Sequence, residues 1–378
     1  MIHTKLLQND KFYSSFFVTK GVGSMERIFE GVAGKLCISE PELFVDNKSR
    51  HRSGHMSHAM VEYEPGRIIA FNSNCSPDRL LGHSAHGWIE YRYSDDYGKT
   101  WSDFQKLQYS WDEFVNGVYT ISIEKAVICN GVITLFAVRN SQYVPICCEP
   151  WDTPFYLQSY DYGKTWTEPK ELSPYKGRIY DAVVKDNVIY AMEVCNDNFV
   201  CKEPEHVYRL FCSTDNGKTF QERSVVGLNA VDHAYGSMVF RDDGSLVVYG
   251  DNIPNGFELD ASVSYDNGYT WEQAPTMHLA KGMRNVQVAK LGNGYVMHGR
   301  GSHPDVGSGC GFVFYTSKDG LNWDDGYYLE ESKKLCYYSN NLLVREPGQP
   351  ERLLVQYSDQ YQEGTWRVNV NHLWLSFC

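Results

Sequence analysis

Short runs in which apolar and polar residues alternate recur along the chain, and they stop at clusters of Gly, Asp, Asn and Ser. A period of two marks strands with one buried face, and turn formers mark their ends. Residues 57–63 and 67–72 make one pair of such runs. Residues 123–128 and 132–138, 180–184 and 188–194, 235–240 and 245–249, 285–289 and 295–298, and 338–344 and 352–357 repeat it. A third run follows, as in residues 87–93. Few long apolar stretches occur, so the pattern predicts an all-β chain of short strands joined by tight turns.

A local motif closes most third runs. Ser94, Asp96, Gly98, Thr100 and Trp101 recur as Ser159, Asp161, Gly163, Thr165 and Trp166, as Ser213, Asp215, Gly217, Thr219 and Phe220, and as Ser264, Asp266, Gly268, Thr270 and Trp271. A fifth copy, one residue shorter, carries Ser317, Asp319, Gly320 and Trp323. The serines are spaced by 65, 54, 51 and 53 residues. Each copy reads as a hairpin turn. Ser and Asp cap the turn's amides, Gly takes the positive-φ position, and the aromatic packs between neighbouring sheets. Self-similarity at this period marks a repeat architecture. Each unit therefore reads strand, turn, strand, loop, strand, motif, strand; a sixth unit keeps the strands and lacks the motif. Six first strands predict a six-bladed β-propeller over residues 34–378, with four antiparallel strands per blade. Residues 34–45 are expected to close the last blade and remove its free edge. Residues 1–33 show no strand pattern and read as an arm, a cap or an oligomer contact.

In such a ring the start of each first strand and the end of each second strand face the same mouth of the axis. Aligning the units puts His58 (with His55), Glu124, Asp181, Tyr235, Arg284 with Asn285, and Tyr338 with Asn340 innermost. The second-strand ends add Asn74, Arg139, Asn196, Asp251, Arg300 and Asp359. Titratable groups converging in a concavity are what a catalytic or binding site needs. A purely structural reading of the same residues pairs the arginines with Glu124, Asp181 and Asp251. His55 and His58 lie three apart, which a strand splits between its faces, so they read as satisfied polar groups rather than metal ligands.

The repeated turn resembles the Asp box of sialidases and other BNR-repeat propellers; its five copies lie between Ser94 and Trp323, and the resemblance covers residues 55–325. The resemblance implies that the boxes are structural and lie on the rim. It also implies an axial site in which an arginine triad holds a substrate carboxylate, a Tyr activated by a Glu attacks, and an Asp serves as acid. Guanidinium forks suit carboxylates, and a phenolate can attack an oxocarbenium-like centre. In direct order the family's nucleophile falls on Tyr338, with Arg300 near its third arginine. Met56 to His58 then occupy the place of the first arginine. Rotating the ring by two blades matches instead Glu124, Arg139, Arg209, Tyr235 and Arg284. The leading expectation is a glycoside hydrolase of sialidase type acting on an acidic oligosaccharide or glycoconjugate. Its catalytic candidates are Glu124, Asp181, Tyr235, Tyr338 and His58. Its substrate-binding candidates are Arg139, Arg209, Arg284, Arg300, Asn285, Asn340, Asp251 and His55. A polysaccharide lyase using His58 or a Tyr, and a glycan-binding propeller without turnover, are the alternatives.

A formal net charge of -12 argues against a duplex nucleic-acid partner, which needs a basic surface. The 11 cysteines include no C-x-x-C pair, which argues against structural zinc and predicts buried free thiols in a reducing compartment. No glycine-rich phosphate loop or nucleophile elbow stands in usable context, so no cofactor is implied. The first residues carry no apolar run of signal-peptide length, and no apolar stretch is long enough to span a membrane. The chain therefore reads as cytoplasmic; a secreted or phage-associated protein with its leader removed reads the same.

Overall fold

The computed structural model describes residues 27–77, 86–142, 152–195, 206–303, 307–335, 338–362 and 365–378. Residues 1–26 of the expected arm, and Asn196 among the expected strand ends, lie outside the described residues. The chain is a six-bladed β-propeller of antiparallel sheets. Blade one consists of His58–Glu64, Arg67–Asn74, Trp88–Ser94 and Gln105–Lys106. The inner strands of blades two to five are Tyr119–Cys129, Gly177–Lys185, His233–Phe240 and Arg284–Leu291. Blade six starts at Ser339–Val344 and continues through Arg352–Gln360 and Val368–Phe377. Each inner strand packs on the next, and that of blade six packs back on that of blade one.

The ring is closed by sequence ends far apart in the chain. Gly34–Ile38 pairs with Val368–Phe377, aligning Leu36 with Phe377, and Arg27–Gly31 adds a further strand outside it. Cys37 and Cys378, 341 residues apart, are joined by a disulfide. This corrects the expectation of free thiols throughout. Cys75, Cys129, Cys195 and Cys212 are free and buried, but ring closure brings Cys37 beside the last residue.

The boxes fold as turn chemistry dictates. Ser94 Oγ accepts the Gly98 N–H at 2.8 Å and donates to Asp96 Oδ1 at 2.8 Å. Gly98 sits at φ +82°, where a Cβ is disfavoured. The Thr270 hydroxyl and amide bond Asp266 and hold its carboxyl down at about 2. The box aromatics lean on the preceding blade, as Trp166 does on Phe71 and Phe220 on Phe136. Between blades the core is continuous: Ile69 and Phe71 of blade one pack with Ile123, Leu135 and Leu157 of blade two. The rim and the core thus fix the ring, leaving the axis to the inner strands.

Candidate active site

A single device aims side chains at the axis. The inner strands of blades two to five each lose register once, at Ile123/Lys125, Ile179/Asp181, Ala234/Ser237 and Arg284/Gln287. A bulge inserts residues that the partner strand does not oppose and re-aims them. Those residues are Glu124, Tyr180, Tyr235 with Gly236, and Asn285 with Val286, and all of them line one axial cavity. Ser57, His58, Gln287, Tyr338, Ser339 and Asn340 complete its wall. Tyr235 (φ +53°) and Asn285 (φ +54°) are held in the left-handed region. That conformation is unusual for Tyr, and strain of this kind is found where surrounding structure over-determines it. Here the Tyr208 hydroxyl donates to the Tyr235 carbonyl at 2.7 Å, and Asp251 accepts the Asn285 and Val286 amides at 2.6 and 3.3 Å. Gly236 is required beside it, because a Cβ there would meet the Tyr249 carbonyl at 2.8 Å.

Arg178, fully buried, organises one side of the cavity. Its Nη2 lies 2.5 Å from Glu124 Oε1 and its Nε 3.1 Å from Oε2. Its Nη1 donates to the Tyr338 hydroxyl at 3.0 Å and its Nη2 to Ser57 Oγ at 3.3 Å. Tyr180, Tyr235 and Tyr338 form an edge-to-face chain with centroids 5.2 and 5.8 Å apart. Burial pushes the Tyr180 and Tyr338 phenols well above their usual range, while the Arg178 cation pulls both back. Arg284 and Arg300 are directly opposed on neighbouring strands of blade five, and their guanidiniums stand 5.7 and 5.9 Å from the Tyr235 ring. Burial raises the Asp251 carboxyl to about 6, with Arg284 and Arg300 opposing the shift. The free space within it is about 20 Å³, which suits roughly one water molecule.

The predicted residues divide into two groups. Glu124, Tyr235, Tyr338, His58, Asn285 and Asn340 line the cavity, and Arg284 and Arg300 stand against Tyr235. The others are elsewhere. Asp181 lies one residue past the bulge and meets Lys125 Nζ at 2.9 Å, the Ser237 hydroxyl at 2.9 Å and the Met238 amide at 2.7 Å. Arg139 pairs with Asp152 at 2.9 Å and Glu171 at 3.4 Å, and Arg209 pairs with Glu222 at 2.7 Å. His55 Nδ1 is 3.1 Å from Ser53 Oγ. Sequence reasoning missed Arg178, Tyr180 and Lys125. Lys125 Nζ also reaches Asn340 Oδ1 at 3.2 Å, tying blade two to blade six. The available signal was the polar spacing of Arg178 and Tyr180 at the start of a first strand, which puts both on one face until the bulge intervenes.

Residues 39–365 match the family of the BNR repeat-like domain. No curated protein sequence matches. Among solved structures the fold is similar to a protein of unknown function from Dyadobacter fermentans, at 14% identity over 91% of this chain and 99% of that one, with a TM-score of 0.69. It is similar to a Hadza microbial sialidase, at 14% identity over 89% of this chain and 68% of that one, with a TM-score of 0.63. It is also similar to the NanB sialidase of Streptococcus pneumoniae, at 12% identity over 89% of this chain and 70% of that one, with a TM-score of 0.60. At these identities the likeness is one of fold.

Proposed function

Since the chain belongs to the BNR repeat-like domain family, and its axis gathers phenols, a carboxylate and arginines, we propose that it acts on an acidic glycan as a glycoside hydrolase of sialidase type. One observation carries the reading: the Tyr338 hydroxyl and the Glu124 carboxylate share Arg178 at the axial cavity. Arg178 donates to the phenol oxygen, so it favours phenolate as the proton leaves for Glu124. Arg284 and Arg300 hold the ligand's carboxylate beside Tyr235, since paired guanidiniums suit bidentate anion binding. Tyr338 then attacks the anomeric carbon as the glycosidic C–O bond breaks and the leaving alcohol takes the proton held by Glu124; in a second step water gives a proton to Glu124, displaces the phenolate and releases the sugar. The Cys37–Cys378 bond favours an oxidising compartment for this work.

Turnover of a 4-methylumbelliferyl sialoside tests the proposal. Release that is lost in Tyr338→Phe and Glu124→Gln supports it. No release, with ultraviolet absorbance rising over uronate polysaccharides as unsaturated product forms, replaces the hydrolase with a lyase. A second reading, binding without turnover, is favoured by the small axial space and the suppressed acidity of Tyr338. It predicts that Tyr338→Phe keeps wild-type affinity for the sialoside.

A further inference from the structure

The axial cavity holds polar atoms that neither ring closure nor the Arg178 network uses. Asn285 is 4% exposed and lines the cavity, and neither its Oδ1 nor its Nδ2 meets a hydrogen-bond partner. Tyr180 Oη and His58 Nδ1, on two further lining residues, are also buried without a partner. Buried polar groups are nearly always bonded, so three such groups around one cavity mark a place that a ligand completes. The backbone keeps Asn285 there. Its bulge position and the 2.6 Å bond from its backbone N–H to Asp251 hold it in the left-handed conformation that Asn tolerates.

The cavity's size and charge define what fits. About 20 Å³ admits one water-sized group and no sugar ring. Glu124 is neutralised by Arg178, burial lowers the His58 imidazole to about 3 and keeps it neutral, and Asn285 and Tyr180 carry no charge. An ion entering would lose its hydration, and among the described lining residues the one charged side chain, Glu124, is already paired.

We infer that the axial cavity takes one uncharged hydrogen-bonding substituent of the ligand, a hydroxyl or amide group, read by Asn285 while the ligand's ring stays at the mouth beside Arg284 and Arg300. The inference deepens the acidic-glycan reading and rests on it only for the ring's position. Asn285 is a specificity-determining residue retained against the stability of the fold.

Asn285→Gly keeps the left-handed backbone and removes the amide, so it supplies both readouts. Its Tm rises by about 1–3 °C, because the unbonded amide is gone. A fall in Tm of more than about 1 °C, beyond what glycine's extra freedom in the unfolded chain costs, means that the side-chain amide has a stabilising partner, and overturns the inference. Titration calorimetry with N-acetylneuraminic acid and D-glucuronate gives the second readout. The variant loses about tenfold in affinity toward whichever acid the wild type binds. Wild-type affinity in the variant overturns the inference and leaves the acidic-glycan reading standing. Failure of the wild type to bind either acid overturns the acidic-glycan reading instead, and the melting readout still decides the role of Asn285.

Discussion

Arg178 and Glu124 stand or fall together. Arg178 is 0% and Glu124 3% exposed, and two guanidinium nitrogens grip the carboxylate. Replacing Arg178 by Met leaves Glu124 as a buried charge with its main partner gone. Breaking such a pair costs about 3–5 kcal/mol. Unfolding entropy near about 2.1 cal/mol/K per residue gives ~0.8 kcal/mol/K for 378 residues, so Tm falls by about 4–6 °C. Glu124→Leu strands the guanidinium and falls by a similar amount. The double replacement removes both charges and returns Tm to near the wild-type value, because apolar residues of similar volume often substitute for a buried pair without loss. Differential scanning calorimetry of the four proteins reads the cycle. Additive losses, or a double variant melting below both singles, would refute the claim that the two residues are one energetic unit. The double variant also separates stability from chemistry, since a protein with restored Tm and no sialoside turnover has lost the site alone.

Burial pushes the Glu193 carboxyl to about 8, so the folded state holds its proton more tightly than the unfolded chain. Stability from this group is therefore lost as pH rises from 4.5 to about 8, by roughly 4–5 kcal/mol. Glu193→Gln should melt with the wild type at pH 4.5 and above it at pH 9, and a gap independent of pH contradicts the assignment. Reducing Cys37–Cys378 releases the blade that closes the ring and should cost about 2–5 kcal/mol, seen as a lower Tm in reductant that Cys37→Ala reproduces without it. Arg139→Ala and Arg209→Ala, whose partners are Asp152, Glu171 and Glu222, should leave acidic-glycan affinity within about twofold of wild type. Arg284→Ala should lose about tenfold or more, and the reverse order in a binding titration would move the carboxylate site to the outer strands.

Blade count and rim were legible because their chemistry is local. Ser94, Asp96 and Gly98 bond within one turn, and strand alternation needs no partner to be recognised. The axis was legible in part, and the misses on the inner strands have one cause. A one-residue slip flips a strand's faces, and bulges are slips that periodicity does not reveal. Alignment therefore brought Asp181 to the front, whereas Tyr180 is the cavity residue and Arg178 the buried cation. Arg139 looked axial from its place at a strand end and Arg209 from its match to the family's arginine, but acids from outer strands of their own blades or from neighbouring loops claim them. Cys37 and Cys378 meet only once the ring exists.

The polar character of the axis has two origins, and separating them explains which residues are left for a ligand. An inner strand is an edge of its own sheet, so its axial amides lack a strand partner and must find one elsewhere. The preceding blade supplies it. Ser73 Oγ accepts the Ile123 amide at 3.2 Å, Asp181 the Met238 amide at 2.7 Å, Ser237 Oγ the Val288 amide at 3.0 Å, and Asp251 the amides of Asn285 and Val286. Asn340 closes the series by donating from Nδ2 to the His58 carbonyl at 2.6 Å. Polar residues at these positions are thus required by ring closure whatever the protein does, and that requirement put Asp181, Asp251 and Asn340 among the site candidates. Subtracting them leaves the bulged residues: the side chains of Tyr180 and Asn285 accept none of these amides, and that of Glu124 is held by Arg178 of the next blade. Glu124 and Asn285 differ chemically at equivalent places in their blades, as do Tyr180 and Tyr235 from both, and the fold imposes no such difference. The diversity of the bulges is therefore the part of the axis's polar character that ring closure does not explain.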